Sequence, residues 1–236
     1  MQIELGDIQV DVLRKPIKNL HLSVYPPNGR VRVAAPEHMQ LETIRVFLIS
    51  RIGWIKAEQR KFREQDRETT RVYVNRESHY LWGRRYLLKL QELDAAPRVE
   101  RTHRHLILTV RPGTDTAKRA AIMDQWYRDQ VKATTPPLIA KWAPRLQVAP
   151  ARFYVQRMKT RWGSCNHAGR SIRLNTELAK KPEICLEYIL FHELAHLIEP
   201  THNARFVAIM DHHMPHWRHH RDELNRLPVR HEQWGY

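Results

Sequence analysis

Phe191-His192-Glu193-Leu194-Ala195-His196-Leu197-Ile198-Glu199-Pro200-Thr201-His202 decides how this chain is read. It holds His-Glu-x-x-His and, six residues further on, a third histidine. On a helix, residues four apart lie on one face about one turn apart, so the imidazoles of His192 and His196 can reach one cation. A Zn²⁺ ion takes such nitrogens at roughly 2.0–2.1 Å. Glu193 projects to the side of that face and can reach a water on the metal without occupying the metal. The helix opens at Pro182-Glu183, proline being suited to a first turn. Ile184, Leu186, Ile189, Leu190, Leu194, Leu197 and Ile198 put apolar groups on most of its sides, the pattern of a core helix. Pro200 cannot continue it. The chain therefore turns between Glu199 and Thr201, and His202 returns as a third ligand. Three protein ligands with a fourth position left to water is a catalytic zinc pattern, whereas four protein ligands would be structural. Asp211, Asp222 and Glu223 on later segments are the alternative third ligands.

The 236 residues suffice for one large domain or two small ones, and 42% hydrophobic residues indicate a globular chain. The first residues, Met1 to Asp7, lack a basic region followed by an apolar block, so no signal peptide is expected. No apolar run approaches the length of a membrane span. Two cysteines, Cys165 and Cys185, are too few for a disulfide framework, and a cytoplasmic protein is expected. Lys and Arg number 40 against 25 Asp and Glu, a net charge of +15. Such a surface either attracts polyanions, with weak nucleic-acid binding among the options, or is simply a generally basic, soluble surface. The cations are spread along the chain without forming a tail.

Alternation over residues 2–5 and 8–14 around Gly6-Asp7 reads as a hairpin. A second hairpin joins 20–25 to 30–34 through Pro26-Pro27-Asn28-Gly29. From Leu41 to about Arg67 the period becomes helical. Residues 71–74, 79–82, 85–93, 98–101 and 105–110 read as further strands, which together with the first could form a curved sheet or partial barrel. Pro112 to Asp115 opens a helix that Pro136-Pro137 breaks or kinks. Strands follow at 153–158 and 171–175. Between them lies a polar, Gly-containing loop from Lys159 to Gly169, read either as a rim of the site or as a turn that buries Trp162 as an anchor. Helices are expected over 203–213 and from Pro215 to about Leu227, and the end, Pro228 to Tyr236, reads as a tail. His212, His213, His216, His219 and His220 cluster without an interleaved carboxylate or thiol pattern and read as exposed side chains. No internal repeat is evident. The expected architecture is α+β, with an N-terminal antiparallel β-rich region and a helix over 1–112, then a metal-binding catalytic domain over 113–236.

Three features in order, Lys159-Thr160-Arg161-Trp162-Gly163-Ser164-Cys165, Arg173-Leu174-Asn175, and His192-Glu193-Leu194-Ala195-His196 followed by His202-Asn203-x-x-Phe206, resemble the YgjP-like metallopeptidase family, predicted metal-dependent hydrolases related to SprT-like and other zincin proteins. Arg30-Val31-Arg32-Val33 and the Trp54-Ile55 helix extend the likeness upstream. The resemblance implies His192, His196 and His202 as zinc ligands and Glu193 as the catalytic carboxylate. It also implies a zincin-like C-terminal domain, with a small antiparallel sheet packed on the metal helix. The His spacing also matches metzincins, but Glu199 stands where those have glycine. Some relatives of the family are nucleoside triphosphate pyrophosphatases.

The leading expectation is a zinc-dependent hydrolase of metallopeptidase type, its zinc-bound water activated by Glu193. Arg161 or His167 would steady the oxyanion, and an edge strand, with 171–175 the candidate, would hold an extended peptide. A second expectation keeps the metal and makes the substrate a nucleotide, its phosphates clamped by Lys159 and Arg161 because no Gly-rich phosphate loop is present. A third is a non-catalytic nucleic-acid-binding module with a structural metal.

Overall fold

The computed structural model describes residues 1–25, 29–64, 71–158 and 161–226. Lys159 and Thr160, the turn residues 26–28, the end of the first helical region beyond Glu64, and the C-terminal tail lie outside them. The chain is α+β and divides into two compact units after Thr69.

The first unit holds strands β1 (Gln2–Leu5), β2 (Ile8–Lys15), β3 (His21–Tyr25) and β4 (Arg30–Pro36), then helices α1 (Leu41–Ser50) and α2 (Ile52–Glu64). Both expected hairpins form. The sheet is not wholly antiparallel, however: its order is β1-β2-β4-β3, and β2 and β4 run parallel, Val10 opposite Val31. The chain passes from β2 to the outer edge as β3 before returning as β4 between them. Val10, Val12, Val31 and Val33, alternate residues on one face, are buried with Ile44, Leu48 and Ile55 of the helices. The single helix expected over this region is interrupted at Arg51, next to Ile52-Gly53, where glycine weakens helix propensity.

The second unit begins with a sheet of the same topology. Its strands β5 (Ser78–Leu81), β6 (Arg84–Glu92), β7 (Arg98–Arg101) and β8 (His105–Val110) have the order β5-β6-β8-β7, with β6 and β8 parallel. Each sheet thus starts with a two-residue hairpin containing a glycine of positive φ, Gly6 at 64° and Gly83 at 75°. Residues 71–74 are not a strand: the Glu77 carboxylate takes the backbone N–H groups of Val72 and Tyr73 at 2.9 and 2.8 Å, leaving no ladder for them to join.

Helix α3 (Thr116–Trp142) follows, capped by Asp115, which accepts from the Lys118 amide at 2.7 Å. It runs unbroken through Pro136 and Pro137. The two prolines withhold the amides that Lys132 and Ala133 carbonyls would accept, and all four residues are exposed, so water can serve those carbonyls instead.

Strands β9 (Arg152–Gln156), β10 (Gly163–Asn166) and β11 (Ser171–Asn175) then form a mixed sheet of order β10-β11-β9. β11 is parallel to β9 and antiparallel to β10. A 3₁₀ turn (Thr176–Lys180) leads into α4 (Glu183–Ala195), and α5 (Ala204–His213) and α6 (Trp217–Arg226) complete the unit. The inner faces of β6 and β8, Leu88, Leu106 and Leu108 among them, share one core with Met123 and Val131 of α3 and Leu186, Leu190 and Leu194 of α4. Strands β6 and β8, which fall within the expected N-terminal region 1–112, thus pack with α4.

Helix α4 is anchored at its start and along its middle. At its start, the Trp82 amide donates to the Ala179 carbonyl at 2.8 Å, and Gly83 lies so close that a Cβ there would sit 3.0 Å from Pro182 Cγ and 3.2 Å from Pro182 N. Further along, Trp142 Nε1 and Lys141 Nζ both donate to Glu187, and Trp142 meets Phe191 edge-on at 4.8 Å. Gly83→Ala combines a left-handed backbone with this contact and is expected to lower stability by about 1–3 kcal/mol. Urea denaturation measures it; unchanged stability would contradict the docking of the β5–β6 turn on the helix start.

Candidate metal centre

α4 is buried on most of its faces, and His192 in its last turn is half-buried. His196 caps that turn. The chain then turns through Glu199 and Pro200 and enters α5, whose cap Asn203 accepts from the Phe206 amide at 3.0 Å. This brings His202 back over the end of α4. The three Nε2 atoms form a triangle: 3.2 Å from His192 to His196, 3.1 Å from His196 to His202 and 3.0 Å from His202 to His192. Tetrahedral ligands at zinc-like bond lengths sit about 3.3 Å apart, so the donor set fits one such ion. Among the described residues it is the one group of three or more His, Cys, Asp or Glu spaced to hold a metal.

Further contacts aim the rings. His196 Nδ1 lies 3.0 Å from the Glu199 carbonyl, a hydrogen bond that turns Nε2 inward. Phe206 contacts all three imidazoles, with centroids 4.9, 4.6 and 4.9 Å from those of His192, His196 and His202. Its role was not legible from its place in an apolar helix pattern. Burial pushes the His192 imidazole down to about 3 and lowers His196, with the neighbouring imidazoles adding to the effect on both. Both are therefore neutral near pH 7, the form that binds metal.

Glu193 is 5% exposed. Burial raises its carboxyl to about 8, against the opposing charge of Arg161; a cation in the triad would add to Arg161 in favouring the carboxylate. Its Oε1 lies where β10 passes closest to α4. A Cβ on Gly163 would meet Glu193 Oε1 at 2.6 Å, Ile189 Cγ2 at 2.8 Å and Glu193 Cγ at 2.9 Å. Residue 163 must be glycine for strand and helix to approach this closely.

The histidines, Glu193, Arg161 and His167 line one cleft of about 370 Å³, together with Ser164 and Cys165. His167 Nδ1 lies 3.2 Å from the His196 carbonyl. Asn175 holds the rim: its Nδ2 donates to the carbonyls of Met158 and Arg161, both at 2.8 Å, while its Oδ1 caps the 3₁₀ turn through the Glu177 amide at 3.1 Å. The rim read as a loop contains strand β10, and β11 is the central strand, paired on both sides. The edge beside the three imidazoles is therefore β10, not 171–175. The alternative third ligands are engaged elsewhere: Asp211 accepts from Trp217 Nε1 at 2.7 Å and pairs with Arg218, and Asp222 pairs with Arg221 at 3.0 Å. Glu223 is likewise outside the histidine group. The rings of His212 and His213, and of His219 and His220, meet in pairs without gathering three donors.

A family model described as YgjP-like, metallopeptidase domain, matches residues 18–227. No curated protein matches. Among solved structures, the metallopeptidase zymogen of Pyrococcus abyssi abylysin is similar at 22% identity and a TM-score of 0.35, over 37% of this chain and 89% of that one. The metallopeptidase zymogen of Methanocaldococcus jannaschii jannalysin is similar at 18% identity and 0.34, over 37% and 90%.

Gly163→Ala is expected to force β10 and Glu193 apart and to lower stability by about 1–3 kcal/mol. The three imidazoles are untouched, so zinc stoichiometry should not change. Denaturation with metal analysis checks both; a variant as stable as wild type would contradict the close approach.

Proposed function

The chain belongs to the YgjP-like metallopeptidase-domain family, and from that premise we propose that it hydrolyses peptide bonds, with one Zn²⁺ held by His192, His196 and His202 and Glu193 as general base. The reading rests on one observation: the three-imidazole group and a buried carboxylate share a cleft with an open sheet edge. Three imidazoles suit Zn²⁺, and no fourth protein donor closes the group among the described residues. When bound, Zn²⁺ supplies Lewis acidity, polarising the scissile carbonyl and lowering the pKa of water at the site towards about 7.

The chain's own residues do the rest. β10 has no strand partner on its outer side among the described residues, so an extended peptide can add there as a further strand. This sets the scissile carbonyl against the triad. Glu193 takes the proton of the attacking water and returns it to the leaving nitrogen. Arg161, whose backbone Asn175 holds, and His167, held against the His196 carbonyl, are placed at the rim to steady the developing oxyanion.

The cleft also bears on the nucleotide alternative. Arg161 is the single Lys or Arg among its described lining residues, beside a buried carboxylate. That is poor provision for a triphosphate, and Lys159, the other phosphate-clamp residue considered, lies outside the described residues. Glu193→Gln is expected to keep one zinc per chain and lose about 10²–10⁴-fold in turnover of an unfolded protein substrate such as casein. Side-by-side assays of casein and nucleoside triphosphates, wild type and variant, test the reading. Near-normal proteolysis by a zinc-loaded variant would remove Glu193 as the base, and Glu193-dependent release of pyrophosphate without proteolysis would replace the peptide by a nucleotide.

A further inference from the structure

A second concentration of charge lies outside the cleft, at one end of the β5-β6-β8-β7 sheet. Arg84 and Arg85 open β6, and Arg101 to Arg104 form the β7–β8 turn. Together they line two adjoining depressions of about 310 and 410 Å³ that share Arg84, Tyr86 and His103. No carboxylate lines either one among the described residues. All four arginines, Arg84, Arg85, Arg101 and Arg104, are exposed, and among the described residues their one side-chain hydrogen bond is from Arg85 Nε to Ser78 Oγ at 2.9 Å.

The backbone that presents these cations is fixed. The Thr102 amide and hydroxyl both donate to the His105 carbonyl, at 2.9 and 3.1 Å. The Leu87 amide donates to the Arg104 carbonyl at 3.0 Å, tying the turn to β6. Guanidinium groups gathered without counter-charges raise the local potential, and an anion relieves it. Their planar donor fork matches phosphate oxygens.

Tyr80 narrows the ligand further. It is 38% exposed and is the cross-strand partner of Arg85, so both lie on the same face of the sheet. Tyr80 lines neither depression and lies on the opposite face of the sheet from Arg84, so the Arg85 guanidinium alone flanks this open ring, a stacking surface for a base that is free of a duplex. The notch is also separate from the metal. Its β5–β6 turn docks at Pro182, where α4 starts, whereas His192 lies ten residues later, about 15 Å along the helix axis. A mononucleotide reacting at the metal would not place its phosphates in the notch, whereas a chain of nucleotides needs no such reach.

We propose that this arginine notch binds the phosphodiester backbone of single-stranded nucleic acid, with Tyr80 receiving a base. The site stands whether or not the cleft is a peptidase.

Because a net charge of +15 gives any polyanion some affinity, the test is charge-matched. Binding of a fluorescent oligothymidylate of about 12 nucleotides, within the usual site size, is followed by anisotropy over a range of salt. The variant Arg84→Glu/Arg104→Glu is compared with Arg45→Glu/Lys132→Glu, which changes the exposed charge equally elsewhere; Arg84→Gln/Arg104→Gln repeats the test should the first pair unfold. The notch variants are expected to bind at least about 10-fold more weakly, with the salt slope reduced by about 1 or more. The control pair should remain within about 2–3-fold of wild type, and Tyr80→Ala should weaken binding several-fold with the slope unchanged. Equal weakening by both pairs would overturn the proposal, leaving bulk charge alone. Loss of binding to phosphatidylserine vesicles with oligonucleotide binding intact would overturn it in favour of a lipid surface.

Discussion

α4 is apolar and buried nearly all round, yet it delivers two imidazoles and a carboxylate to a cleft. Unpartnered polar groups inside such a helix would cost several kcal/mol. The chain places the motif in the last turn, where the helix leaves the core, although His192 Nδ1 is buried with no hydrogen-bond partner among the described residues. Pro200 forbids continuation, Glu199 supplies the carbonyl that orients His196, and Asn203 restarts the chain as α5 so that His202 and Phe206 arrive together. Glu193 remains the one buried charge-bearing group of the motif, and it faces the cleft through the gap that Gly163 leaves.

The site is thus assembled from elements whose ends are each pinned. The β5–β6 turn sets the start of α4, Trp142 and Lys141 hold Glu187 in its middle, and β10 approaches its end through a residue without a side chain. Asn175 then ties the rim to the 3₁₀ turn that feeds the same helix. A displacement of any of these moves Glu193 relative to the imidazoles, and catalytic geometry tolerates little of that. No helix among the described residues is long and apolar enough to cross a membrane.

Much of this was legible in the sequence because it depends on local chemistry. The four-residue spacing of His192 and His196, the proline stop and the Gly-containing hairpins each have one structural meaning, and they were read as they fold. Strand order was not legible, because parallel and antiparallel neighbours show the same alternation. The insertion of β4 between β2 and β3, and of β8 between β6 and β7, leaves no local mark. For the same reason the shared topology of the two sheets was missed: it repeats a connection pattern, not residues. Pro136-Pro137 misled because the rule against proline inside a helix assumes that the freed carbonyls go unserved, and here they face water. β10 was read as loop because Gly163-Ser164-Cys165-Asn166 has weak strand propensity, and its pairing with β11 decides its conformation.

The central claim is that three imidazoles and no other protein donor hold a catalytic metal, with one position open. X-ray absorption at the zinc edge of the metal-loaded protein tests it most directly. The expected result is a four-coordinate ion with three imidazole nitrogens at about 2.0–2.1 Å and one further light-atom ligand from solvent. A sulfur scatterer at about 2.3 Å would bring a cysteine into the shell, with Cys165 of the cleft the one at hand, and a fourth imidazole would close the site; either result would contradict it.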